Sequence, residues 1–191
     1  MNKSLADITF WIVIFFFLTL GIDSIIITYP DEGRNAFATL FMINSGEFIV
    51  PYYNGEIRYD KPPLLYYLGI VIYKTLQFLG YENIELSFRL ISVFATIFSA
   101  FIVFELSKHF VQNRTYQYLS VILYIGFINI FIESKAFVPE PLLSLFINLS
   151  LLSFFKLYRQ NQDNNITWIY IFWISMGLGI LSKGIISIII V

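Results

Sequence analysis

The stretch ITFWIVIFFFLTLGIDSIIIT, residues 8–28, is followed at once by YPDEGR, residues 29–34. The first stretch has the roughly 20 predominantly apolar residues needed to cross a bilayer, and the second is where charge first gathers. Ahead of them, residues 1–7 are short and polar with one basic residue, Lys3. No A-x-A-like cleavage site follows the apolar run, so it reads as a retained first span rather than a cleaved signal. Further apolar stretches at 86–106, 116–132, 141–157 and 168–191 read as spans of the same kind. In a bilayer each must be helical, because only a helix satisfies its own backbone groups there. The fold class is therefore an all-α, polytopic transmembrane bundle.

Composition agrees. Of 191 residues, 58% are hydrophobic and 19% aromatic, and only 13% are charged; mean hydropathy is +0.73. A soluble domain carries about 25% charged residues. The net charge of −1 supplies no basic field for nucleic acid. With no cysteine, disulfides and thiolate metal sites are excluded. The single histidine, His109, argues against a His-rich metal site or a Ser-His-Asp triad. It follows Lys108 at the end of an apolar run and reads as a solvated helix end, where cations are favoured. Asn148 and Ser150, inside the fourth span, are expected to bond to neighbouring helices or backbone. Residues 159–165, RQNQDNN, read as an inner polar connector. The chain ends within an apolar run, as expected of a partial protein.

Residues 62–80 admit two readings. They are apolar enough to span, yet Lys74 and Gln77 interrupt them, and Tyr66, Tyr67 and Tyr73 suit an interface. Basic residues favour the cytoplasmic side in short loops. If the segment lies flat and Lys3 is inside, then Lys108, Arg114, Lys156 and Arg159 fall inside and Lys135 outside. If it spans, those four move out. The expectation is an interfacial helix within an outer loop, 29–85. That topology puts Asp31, Lys61 and Glu140 on one face, with Lys183 near it.

Taken singly, these residues have plain explanations. Asp31 and Glu32 suit the start of a helix expected at 34–45, where the dipole stabilises carboxylates, with Arg34 pairing locally. Lys61 suits a snorkelling anchor; the alternative is contact with the phosphate of a lipid-linked substrate. Glu140, between Pro139 and Pro141, suits a helix start. Lys183, in an otherwise apolar run, needs a polar partner or the interface, and ionisable residues in such places are costly and often functional.

Taken together they form a pattern. Asp31-Glu32-x-Arg34, then Asn54-Gly55, then Asp60-Lys61-Pro62-Pro63-Leu64-x-Tyr66 resembles the first outer loop of the polyisoprenyl-phosphate-sugar glycosyltransferases. The likeness is to the protein O-mannosyltransferase superfamily, especially its bacterial branch with the lipid A aminoarabinose transferases. Ser87-Phe88-Arg89-Leu90 resembles that family's A-A-R-L. AFVPEPLL (136–143) resembles its second acidic site, and Leu181-Ser182-Lys183-Gly184 its L-T-K-G. Three positions depart: Asp60 stands for the usual Glu, Asn35 for a Tyr, and Glu140 for an Asp. The swaps keep charge at the acidic positions and bear on sugar specificity.

The resemblance implies a membrane fold of the GT-C type, of which residues 1–191 would form the N-terminal part. It implies transfer of a sugar from a polyisoprenyl-phosphate donor to a lipid, glycan or protein acceptor at the outer face of the cell membrane. By carry-over, Asp31 is the candidate catalytic base. Lys61 and Lys183 are candidates to hold the lipid phosphate as its charge grows. Arg34 would orient Asp31 or bind phosphate, and Glu32, Asp60 and Glu140 would bind substrate. No nucleotide-sugar site is implied, and no Gly-rich phosphate loop is present. A divalent cation held through oxygen by Asp31, Asp60 and Glu140 is a further possibility to test against the fold. The competing class is a non-catalytic membrane protein, either a decayed transferase remnant or a transporter fragment.

Overall fold

A computed structural model describes residues 3–24, 26–27, 30–159 and 166–191. Among them the helices are α1 (Lys3–Thr19), α2 (Pro30–Ser45), α3 (Leu64–Phe78), α4 (Ile84–Ser107), α5 (Arg114–Gly126), α6 (Ile128–Ser134), α7 (Glu140–Arg159), α8 (Ile166–Lys183) and α9 (Ile186–Ile190). A small antiparallel hairpin, β1 (Tyr52–Tyr53) and β2 (Glu56–Ile57), is added to the expected all-α architecture. Apart from Arg159, the polar connector 159–165 lies outside the described residues, as does Tyr29.

Three helices are long and apolar enough to cross a membrane: α4, α7 and α8. α5 and α6 make a fourth if counted as one span, broken between them by a bend of 71°. α1 and α3 are apolar but shorter. The chain is a multi-pass membrane protein. Several spans expected to run on are interrupted. α1 stops at Thr19 and the chain turns at Gly21, where φ is +76°, a value that glycine adopts without a Cβ penalty. Likewise α8 stops at Lys183, and Gly184 at φ +81° folds α9 back. A Cβ built on Gly179 would stand 2.9 Å from that of Ser187, so the return of α9 uses the missing side chain.

The helices pack through small polar residues, as lipid-facing bundles do. Asn148 Nδ2 donates to Ser99 Oγ at 2.5 Å, and the Ser150 and Ser175 hydroxyls meet at 2.7 Å, joining α7 to α4 and α8. Near the start of α1, Asp7 accepts hydrogen bonds from Arg114 and Tyr118, tying α1 to α5. His109 follows α4 and packs against the Phe155 ring at 5.1 Å. Burial, then the nearby cations Lys156 and Arg159, hold its imidazole below the ordinary value. It stands at the helix end as expected, but packed against an aromatic ring rather than fully solvated.

The helices between α1 and α4 follow from local sequence. Pro30 occupies the first position of α2, where its fixed φ suits a helix start. The helix therefore begins a turn before the expected residue 34 and carries Asp31, Glu32 and Arg34 together. Asn54 (φ 52°) and Gly55 (φ +82°) form the two-residue turn of the hairpin. Asn-Gly favours that turn because both positions need positive φ. The hairpin rests on α2 through Phe37–Tyr53 and Phe41–Tyr52, each 5.3 Å between ring centres. α3 ends in a Schellman closure, Tyr81 N to Leu76 O at 2.9 Å and Gly80 N to Gln77 O at 3.0 Å. Its 15 residues span only about 22 Å at 1.5 Å per residue. It packs on α2 and α4. Gly69 allows the closeness: a Cβ there would meet the Phe137 ring at 2.9 Å and Thr39 Cγ2 at 3.0 Å.

Candidate functional site

The segment 136–139, ahead of α7, decides where Glu140 stands, and it is held by its backbone. Glu32 accepts from Phe137 N at 3.0 Å, and Asn35, one turn later on α2, donates to Phe137 O at 3.0 Å. Ser92 on α4 donates to Ala136 O at 2.6 Å. Glu32 in turn takes two hydrogen bonds from Arg89, at 2.7 and 3.0 Å, and Arg89 also donates to Ile22 O at 2.8 Å. Glu32 is 2% exposed and Arg89 3%. The pair is buried, bidentate and hydrogen-bonded on its remaining edges, which is the condition for a buried pair to be tolerated.

This geometry reassigns two residues. Glu32, expected to bind substrate, has both carboxylate oxygens committed inside the protein. Asn35, singled out as a departure bearing on sugar choice, is fully buried and supports both Phe137 and Arg58. Arg58 itself was not singled out in the sequence. It is 7% exposed and donates to Tyr66 Oη at 3.0 Å and Asn35 Oδ1 at 3.1 Å. It also pairs with Asp60 at 3.0 Å. The tyrosine of the Pro-Pro-Leu-x-Tyr motif thus ties Arg58, at the end of the hairpin, to α3, and Asn35 ties it to α2.

With the segment fixed, Asp31 and Glu140 face one cavity of about 310 Å³, together with Asn129, Ile132, Glu133, Ala136 and Val138. Lys183 reaches in from the end of α8 and its Nζ donates to Glu140 Oε1 at 2.6 Å. So three of the expected residues, from α2, α7 and α8, converge. Arg34 stands 3.5 Å from Asp31, with both side chains about half exposed. Arg34 also lines a second, more open cavity of about 620 Å³, with Tyr53, Glu56, Arg58, Tyr59 and Asp60. Lys61 follows directly and makes no ion pair or hydrogen bond among the described residues. The Asp31–Arg34 couple therefore sits where the two cavities adjoin.

The cation possibility does not fit this arrangement. Asp60 lines the second cavity and pairs with Arg58, away from Asp31 and Glu140. Among the described residues no group of three or more His, Cys, Asp or Glu side chains stands close enough to hold an ion. Glu133 escaped the sequence reading although its signal was of the kind that marked Glu140, a carboxylate at the end of an apolar run.

Comparison with known proteins places these features in a family. The dolichyl-phosphate-mannose-protein mannosyltransferase family matches residues 31–191. An uncharacterized protein of Aquifex aeolicus (strain VF5) is 36% identical over 190 residues, covering 99% of this chain and 41% of its own. The undecaprenyl phosphate-alpha-4-amino-4-deoxy-L-arabinose arabinosyl transferase of Yersinia pestis (strain Pestoides F) is 27% identical over 180 residues, covering 92% of this chain and 31% of its own. Among solved structures, ArnT from Cupriavidus metallidurans superposes with a TM-score of 0.80 in the apo state and 0.76 bound to undecaprenyl phosphate. Identities are 18% and 17%; in each case 98% of this chain and 34% of that protein are covered. The chain thus spans well under half the length of these relatives.

Proposed function

This chain belongs to the dolichyl-phosphate-mannose-protein mannosyltransferase family, and we propose that it contributes part of the active site of a glycosyltransferase. The proposed reaction passes a sugar from a polyisoprenyl phosphate to a lipid, glycan or protein acceptor at the extracytoplasmic membrane face. The observation that carries the reading is the meeting of Asp31 and Glu140 in one cavity with Lys183 bonded to Glu140.

On this reading the acceptor oxygen attacks the anomeric carbon while the carbon–oxygen bond to the phosphate breaks. Asp31 takes the hydroxyl proton. The lipid phosphate departs with the bonding electron pair, and its growing charge is stabilised by fixed cations. Attack opposite the leaving group inverts the anomeric centre. Arg34, from the second cavity, and Lys61 serve the phosphate, while Glu140, in the first cavity, and the Lys183 bonded to it orient the sugar and phosphate. Asp60 holds Arg58 and the edge of the second cavity. Glu32 acts at one remove, by fixing the segment that carries Glu140. Residues 1–191 form the N-terminal part of the transferase domain, with 29–85 as its outer loop.

In the complete protein, Lys61→Met is expected to weaken binding of undecaprenyl phosphate about tenfold, since a hydrogen bond to a charged group contributes roughly 1.5–3 kcal/mol. The dissociation constant in detergent measures this, and an unchanged value removes Lys61 from the phosphate site. The topology is checked separately. The chain has no cysteine, so single cysteines at Gln77 and Asn113 can be labelled in intact cells. Access from outside at 77 and from inside at 113 is expected; both reporting inside refutes the interfacial α3.

A further inference from the structure

We propose that Glu133 is a positioning residue that serves as a second counter-ion for Lys183, keeping the lysine in the site when Glu140 turns to substrate. The inference rests on the functional reading above, although its test does not. At rest, Lys183 Nζ is 2.6 Å from Glu140 Oε1. The candidate cation and the candidate carboxylate therefore occupy one another, and neither reaches a substrate until the pair opens. An ammonium released in a partly desolvated site is costly unless another anion takes it.

The break between α5 and α6 supplies that anion. The 71° bend turns the short α6 so that Asn129, Ile132 and Glu133 line the cavity shared with Glu140. Glu133 and Glu140 also meet in a narrower pocket beneath it, with Thr96, Tyr124 and Ser144. Glu133 is half-buried, and its carboxylate has no ion pair or hydrogen bond among the described residues. Of the other groups around the cavity, Asp31 on α2 has Arg34 as partner, while α4 and α5 offer only hydroxyls, Thr96 and Tyr124. The two carboxylates thus share one cavity, Glu140 holds the lysine, and the Glu133 side chain has no other partner among the described residues. When Glu140 rotates toward a substrate hydroxyl, Lys183 passes to Glu133 and stays charged beside the phosphate.

Trace acetylation of the complete protein with acetic anhydride at pH 9, read by mass spectrometry at Lys183 and normalised to distant Lys156, tests this without substrate. Glu140→Gln alone is expected to raise Lys183 labelling less than threefold, because Glu133 takes the lysine. Adding Glu133→Gln should raise it about tenfold further, the change that one unit in an amine's pKa produces. Glu133→Asp in the Glu140→Gln background keeps a carboxylate and should retain the low rate. A double Gln variant that labels no faster than Glu140→Gln overturns the proposal. So does an Asp variant that labels as fast as the double Gln. Because no sugar donor is involved, failure of the transfer reading would leave this result standing.

Discussion

Asp31→Asn in the complete protein is expected to lower sugar transfer by about 10²–10⁴-fold, the range a positioned general base contributes. The substitution keeps the side chain's shape and removes its capacity to take a proton. The position of Asp31 suits a base. Its side chain is 40% exposed, lines the cavity with Glu140, and is only loosely engaged by Arg34 at 3.5 Å. Its structural share is small. A carboxylate in the first turn of a helix stabilises it by about 0.3–1 kcal/mol, so membrane insertion and thermal stability should be nearly unchanged. Transfer from a polyisoprenyl-phosphate sugar, followed by mass spectrometry of the envelope acceptors, gives the readout. Transfer at the wild-type rate would remove Asp31 from the chemistry.

Arg89→Met is expected to have the largest effect on stability. It strands the Glu32 carboxylate at 2% exposure and leaves Ile22 O without its donor. Breaking a buried pair from one side costs roughly 3–5 kcal/mol. Glu32→Gln should cost less, because the amide oxygen still accepts from Phe137 N. Replacing both members by apolar residues of similar volume is often near neutral for stability, so Glu32→Met with Arg89→Met should recover much of the loss. Transfer should not recover with it, since Phe137 N then lacks the acceptor that sets segment 136–139 and hence Glu140. Thermal aggregation of the solubilised protein and transfer are measured side by side. If Arg89→Met melts with the wild type, the clasp contributes nothing; if the double variant also regains transfer, the clasp does not position Glu140.

The sequence by itself determined the membrane class and the helical character, and it drew notice to several charges that the fold brings together. Those properties live in composition and in local spacing: apolar runs near bilayer length and four charged motifs in order. Asp31, Glu140 and Lys183 were legible because a charge beside an apolar run is conspicuous wherever it falls. Only the tertiary structure decided which charges face a cavity and which are spent inside. Asp31 and Glu32 are neighbours with the same chemistry, yet successive helix positions point about 100° apart, so one lines the cavity and the other meets Arg89. Nothing local distinguishes them, because the partner lies 57 positions away. The same holds for Asn35, drawn inward by Phe137 from 102 positions distant. It holds too for Glu133, which enters the site because the chain bends at Phe127. Spans end where backbone turns at Gly21 and Gly184 interrupt an unbroken apolar composition. Polarity along a chain shows where charge must be accommodated; only packing selects the face on which each charge is used.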